Sequence, residues 1–271
     1  MSPAFIPDDS SGVLHPEAGW FFILAHPGHE LRLHHFVERV APTVAVLTDG
    51  SGSTGVSRAD DTRALLRTAG AHAATVFAPL ADREAYRTLM TSDAQPFLDL
   101  IDPLADAIGR GGARHVVVDA EEGFNPVHDV CHWLGRTIVS RARLEGRTID
   151  LFELDLVAHP DGSGDGLRLV LDEAAFERKL FAARRYTALA AEAAAAFDRY
   201  GCDAFRTEFV RRLDDRPPRE ASWKPHYEEV GEERVKSGRY PSVLRYGAHV
   251  RPMIEVLIGR AETPRAGLIE H

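Results

Sequence analysis

What most limits the folds open to this chain is one repeated order of segments. A short unbroken apolar run is followed by a stretch of helical periodicity, and the pair recurs. The runs are "WFFILAH" (20–26), "TVAVLTDG" (43–50), "ATVFAPL" (74–80), "RHVVVDA" (114–120), "IDLFELDLVAH" (149–159) and "LRLVLD" (167–172). Continuous apolar runs of this length suit strands buried on both faces. Between them, 30–40, 58–71, 94–112 and 126–144 read as helices, and 172–201 as one long helix capped by Asp172 and stopped at Gly201. The periodicity leaves 81–93 unassigned. Strands alternating with helices predict an α/β fold, a Rossmann-like three-layer sandwich with a mainly parallel sheet. In such sheets ligands bind beyond the carboxyl ends of the strands, where His26, Asp49 and Asp119 fall.

Residues 1–18 read as a flexible leader and 19–271 as a single domain. Within it, 215–271 is a polar, Pro-rich arm or lid. His226, Tyr227, His249 and Arg251 in that arm suit either the substrate mouth or a surface contact. No internal repeat is present.

The net charge is −9, without a basic block, which argues against a nucleic-acid partner. No apolar run reaches the roughly 20 residues of a membrane span, and the N-terminus lacks a secretory pattern. Cys131 and Cys202 form no CxxC motif, so the expectation is a reduced, cytoplasmic protein.

Two segments concentrate chemistry. In "AHPGHE" the first strand ends at His26, and His29 opens the following helix. A strand-to-helix turn can aim both imidazoles at one metal; a charged Pro-Gly turn is the plainer alternative. In "EEGFNPVHDVCHWLG" His128 and His132 are spaced i,i+4, which suits zinc or a buried helix face. "GSGSTG" lacks the Lys-Ser/Thr of a phosphate loop. "VAHPDG" (157–162) is followed by no helix and reads as a hairpin turn. His34 and His35 continue the first helix, one packed and one facing solvent.

Taken in order, Ala25-His26-Pro27-Gly28-His29-Glu30 and Asn125-Pro126-Val127-His128 resemble the A-H-P-D-D-E and H-P-D-H motifs of the LmbE-like, or PIG-L, zinc-dependent N-deacetylases. "TDGSGS", "KLFAARRYTAL" and "FRTEF" are similar to further segments of that family, and the resemblance spans about residues 20–210. It implies a Zn2+ site, or another divalent metal, held by His26, His29 and His128, with Glu30 supporting. It implies hydrolysis of an amide C–N bond, N-deacetylation of an amino sugar or sugar-containing metabolite. The partner is then a small N-acylated molecule, and a homo-oligomer is left open. The family's general base is replaced by Gly28, and its first H-P-D-H histidine by Asn125. Asn125 can still donate a hydrogen bond to an oxyanion. Among Asp49, Asp119, Glu121, Glu122 and His132, the expected substitute proton carriers are Glu122 and Asp49. The competing expectation is a catalytically altered relative that binds metal or glycan without hydrolysis.

Overall fold

The computed structural model describes residues 12–213 and 215–261. The first apolar run forms β1 (Trp20–Leu24), buried along its length. β2 (Thr43–Thr48) and β4 (His115–Asp119) lie parallel to it on either side. Side chains of a strand alternate between faces, so Phe21 and Ile23 enter one core while Trp20, Phe22 and Leu24 enter the other. This double burial is what an unbroken apolar run encodes.

With β3 (His72–Leu80), β5 (Asp150–Leu154), β6 (Gly166–Val170) and β7 (Thr207–Arg212), the sheet order is β3-β2-β1-β4-β5-β7-β6. The first five strands are parallel, and β7 runs antiparallel to β5 and β6. One face carries α3 (Asp82–Met90), α4 (Gln95–Leu98), α5 (Ile101–Arg110), α6 (Pro126–Leu144) and α10 (Arg251–Ala261). The other carries α1 (His34–Val40), α2 (Ala59–Thr68) and α7 (Glu173–Arg185). The mixed α/β sandwich expected from the alternation is the architecture found.

Several boundaries differ from the sequence reading. The unassigned 81–93 segment contains α3, with Asp82 and Glu84 in its first turn. The 94–112 segment is two helices, and Pro103 sits in the first turn of α5, where no backbone N–H is needed. "FRTEF" supplies part of β7. The 157–162 turn joins β5 to β6, which are not paired because β7 lies between them.

The long 172–201 helix is broken. Asp172 caps it as expected, accepting from the Ala175 N–H at 2.8 Å. At Tyr186 (φ −81°, ψ 72°) the backbone leaves the helix, a 3-10 turn follows (Thr187–Leu189), and α8 (Ala190–Tyr200) starts after it. The cause is tertiary. Tyr186 is buried, and its hydroxyl sits 2.8 Å from Thr62 Oγ1 and 3.2 Å from the Arg58 carbonyl.

The C-terminal arm contains α9 (His226–Lys236) and α10. Met253, Ile254 and Leu257 of α10 are buried on the α6 side of the sheet. Of the expected leader, Leu14 and Ala18 are buried in the other core, while 1–11 lie outside the described residues, as do 262–271 of the arm. Among the described residues no helix is long and apolar enough to cross a membrane.

Candidate functional site

The strand order reverses direction at β1 and β4, and the crevice beyond their carboxyl ends is where ligands bind in such sheets. Both motifs meet there. After β1 the chain turns at Pro27-Gly28, with Gly28 at φ 105°, and enters a 3-10 turn, His29–Leu33. After β4, Asn125 caps α6 by accepting the Val127 N–H at 2.9 Å, with Pro126 in the first turn. His128 is therefore held at the helix start, facing the β1 turn.

The three imidazoles gather. Ring centroids are 5.4 Å apart for His26–His29, 5.1 Å for His26–His128 and 4.6 Å for His29–His128. Two of them are oriented from behind by carboxylates. His26 Nδ1 lies 3.1 Å from Asp82 Oδ1 and 2.6 Å from Thr48 Oγ1. His29 Nδ1 lies 2.9 Å from Asp119 Oδ2, which also accepts the Ala25 N–H at 2.7 Å. Asn125 Oδ1 is committed to the cap, so its amide nitrogen faces His26 Nε2 at 3.2 Å and donates to it. His26 thus carries its proton on Nδ1 and presents a lone pair on Nε2. His128 Nδ1 is buried with no hydrogen-bond partner.

Electrostatics favour the neutral forms of His29 and His128. Burial pushes the His29 pKa down against the opposing pull of Asp119. Burial, then the neighbouring His29 and His26, hold His128 well below the usual imidazole range. Burial works against ionisation of Asp82, but its hydrogen bonds with His26, Thr48 and the Gly52 N–H draw its pKa far below the usual carboxylate range.

The donor set suits a divalent metal: three imidazoles, carboxylates on the outer ring nitrogens of two of them, and an orphaned buried nitrogen on the third. Zinc–nitrogen bonds of about 2.0–2.1 Å at a tetrahedral centre place ring centroids about 5 Å apart, close to the spacing found. As the side chains stand, no three His, Cys, Asp or Glu among the described residues are drawn in to ligating geometry. Occupancy would therefore require the rings to turn inward.

The centre opens into a pocket of about 330 Å³, lined by His26, His29, His128 and Asn125 at one end. Its walls include Leu31, Leu156, Leu180, Leu189, Phe197 and Phe205. The other predicted residues are placed elsewhere. Glu122 accepts the backbone N–H groups of Leu156, Val157 and Ala158 at 2.8–3.1 Å. Asp49 accepts those of Ser51 and Asp82 at 3.0 Å. Neither lines the pocket; both tie loops together. Glu121 accepts from Trp133 Nε1, and His132 packs its Nδ1 against the Asp119 carbonyl at 3.1 Å, so the i,i+4 histidines do not converge. Glu30 sits behind the turn, accepting the Gly28 N–H and the Thr62 hydroxyl. His34 is buried and His35 half-buried beside Glu38. His226, Tyr227 and His249 are outside the pocket lining.

Sequence reasoning missed Asp82, Thr48, Arg58 and Leu189. Asp82 lay in the unassigned segment, although an acidic residue just past a strand end was the available signal. Leu189 was hidden inside what read as one helix. Its position answers the question Gly28 raises: a Cβ there would overlap Leu189 Cδ1 and meet Tyr186 at 3.6 Å. The space for a side chain is already filled.

No family model and no curated protein matches this sequence. Solved structures do. A deacetylase–BOG complex from the biosynthesis pathway of teicoplanin has a TM-score of 0.50 at 15% identity, covering 73% of this chain and 99% of that one. The deacetylase triple mutant Orf2*T of the teicoplanin pathway gives 0.49 at 16%, covering 73% and 100%. The A40926 pseudoaglycone deacetylase Dbv21 gives 0.44 at 20%, covering 64% and 83%. At these identities the likeness is one of fold.

Proposed function

We propose that this protein is a metal-dependent amide hydrolase, removing an N-acyl group from an amino sugar or a sugar-containing metabolite, in the manner of the LmbE-like deacetylases. The observation that carries the reading is the gathering of His26, His29 and His128, two of them backed by carboxylates, at the sheet's switch point beneath a pocket. The fold shared with a teicoplanin-pathway deacetylase agrees with it.

His26, His29 and His128 would hold the ion, with burial favouring the neutral form of His29 and His128. The chemistry a divalent metal supplies when bound in this way is polarisation of the amide carbonyl and a more acidic water. Asp82 and Asp119 orient His26 and His29. The Asn125 amide N–H, which donates to His26 Nε2, would be released by a metal on that nitrogen and could then donate to the carbonyl oxygen as charge develops there. Glu122 and Asp49 act as loop anchors. Proton transfer to the leaving amine falls to Glu192, the one carboxylate among the described residues that line the pocket, whose Oε1 lies 3.9 Å from Arg58 Nη1.

The second reading, a metal- or glycan-binding relative without hydrolysis, is favoured by Leu189, which fills the space where a side chain on Gly28 would stand. Metal analysis of the purified protein, followed by amine release from N-acetylated sugars with and without chelator, separates the two. Bound divalent metal with chelator-sensitive amine release is expected. Metal without release would establish the binder, and absence of any divalent metal would end both readings.

A further inference from the structure

The pocket is lined mostly by apolar side chains. Beyond the imidazoles and Asn125, its wall includes Leu31, Leu156, Leu180, Leu189, Phe197 and Phe205, roofed by Ala193 and Ala196 of α8. Four charged residues also line it: the Arg32 head is bonded to the Asp155 and Ala158 carbonyls and Lys179 to Glu208, which leaves their stems to the pocket, while Arg58 and Glu192 face each other. A sugar pushed against the leucines and phenylalanines would leave the hydroxyls facing them without hydrogen-bond partners, at a cost of several kcal/mol. An aliphatic chain would lose nothing and bury its surface. The roof is itself unfinished. No residue of α8 is fully buried, yet its pocket-facing Phe197 packs edge-on against Phe205 at 5.2 Å. The helix therefore presents an apolar side whose partner is the pocket space. Outside the lining, next to Asn125, Phe124 is 47% exposed and stacked at 5.5 Å on His226, an aromatic face for the polar half of a ligand.

We propose that the group this enzyme removes is a medium-length aliphatic acyl chain, seated under α8 with its carbonyl at the histidines and its amine-bearing sugar outside. The proposal rests on the amide-hydrolase reading. The reaction takes an N-acyl amine and one water to a carboxylic acid and a free amine. The amide C–N bond breaks, a C–O bond to the water oxygen forms, and the amine leaves with a proton from that water. At roughly 30 Å³ per non-hydrogen atom, the share of a water in the liquid, the cavity of about 330 Å³ holds a chain of about eight to ten carbons.

The test is a series of N-acylglucosamines from acetyl to dodecanoyl, with kcat/KM read by amine release and Kd by calorimetry on the same full chain. Burial of a methylene is worth about fourfold, so octanoyl is expected to exceed acetyl by at least about a hundredfold, with a plateau or fall beyond ten carbons. Ala193→Trp narrows the roof and is expected to lower the octanoyl-to-acetyl ratio at least about tenfold; circular dichroism checks its folding, and the unaltered protein's series decides alone if it fails. Hydrolysis that is best for acetyl overturns the acyl pocket while the hydrolase stands. Preference for an N-acetyl group on an apolar amine over octanoylglucosamine overturns it as well. If nothing is hydrolysed, the hydrolase reading fails and the calorimetry decides: Kd tightening with chain length supports an acyl-binding pocket, and a flat Kd overturns it.

Discussion

At the scale of single residues, the site depends on which atoms already have partners. Gly28 has no side chain to move a proton, and Leu189 with Tyr186 closes the space around it. Gly28→Asp alone is expected to destabilise by about 1–3 kcal/mol through overpacking at a positive φ. Paired with Leu189→Ala, it is expected to show a favourable coupling above about 1 kcal/mol in a urea-denaturation double-mutant cycle; additive effects would mean that Leu189 does not fill that space. His132 gives a sharper check of burial. Burial, then Arg136 and Arg216, penalise its charged form and push its pKa down to about 3. Its imidazole resonances are expected to stay flat from pH 8 to 5 in NMR titration, and a midpoint near 6.5 would contradict the packing. The residues themselves declared the histidines, since His26, His29 and His128 are visible in the motifs. Their carboxylate partners were not, because Asp82 and Asp119 reach them across 56 and 90 residues of sequence separation.

At the scale of elements, two features build the site. The N-terminus of α6 carries Asn125 and His128, and α10 packs behind the same face of the sheet through Met253, Ile254 and Leu257. Ile254→Ala is expected to cost about 2–5 kcal/mol by chemical denaturation. The second feature is the break at Tyr186, which turns one apparent helix into the wall α7 and the roof α8. Periodicity carried little trace of it, because "RRYTALAAEAAAAF" holds no Gly or Pro and only Tyr186, Thr187 and Phe197 fall outside the strong helix formers. The buried bonds of the Tyr186 hydroxyl to Thr62 and Arg58 override that propensity. By contrast, the cap at Asp172 was legible from residue type alone. Asp172→Ala is expected to cost about 1 kcal/mol, measured in the same assay, with α7 the only element touched by the change.

At the scale of the whole molecule, the parallel sheet brings two loops a hundred residues apart to one crevice, and a metal bound there would tie β1 to α6. Zinc at about a hundredfold over its Kd is expected to stabilise the fold by about 2.7 kcal/mol. That is a rise of roughly 5 °C or more in Tm for a chain of this size. Chelation should reverse the rise, and His26→Ala should abolish it; an unchanged Tm in the unaltered protein would refute the three-histidine site. The sequence by itself determined the layering, because apolar runs of strand length between helical segments can be buried only as a sheet covered on both faces. It also determined which side chains can bind metal, since that is a property of residue type and of strand ends. Only the tertiary structure decided what surrounds them. The pairing of His26 with Asp82, the diversion of Glu122 and Asp49 into loop anchoring, and the filling of the Gly28 space by Leu189 are contacts between distant segments. Such contacts are set by packing geometry, which no local pattern of residues records.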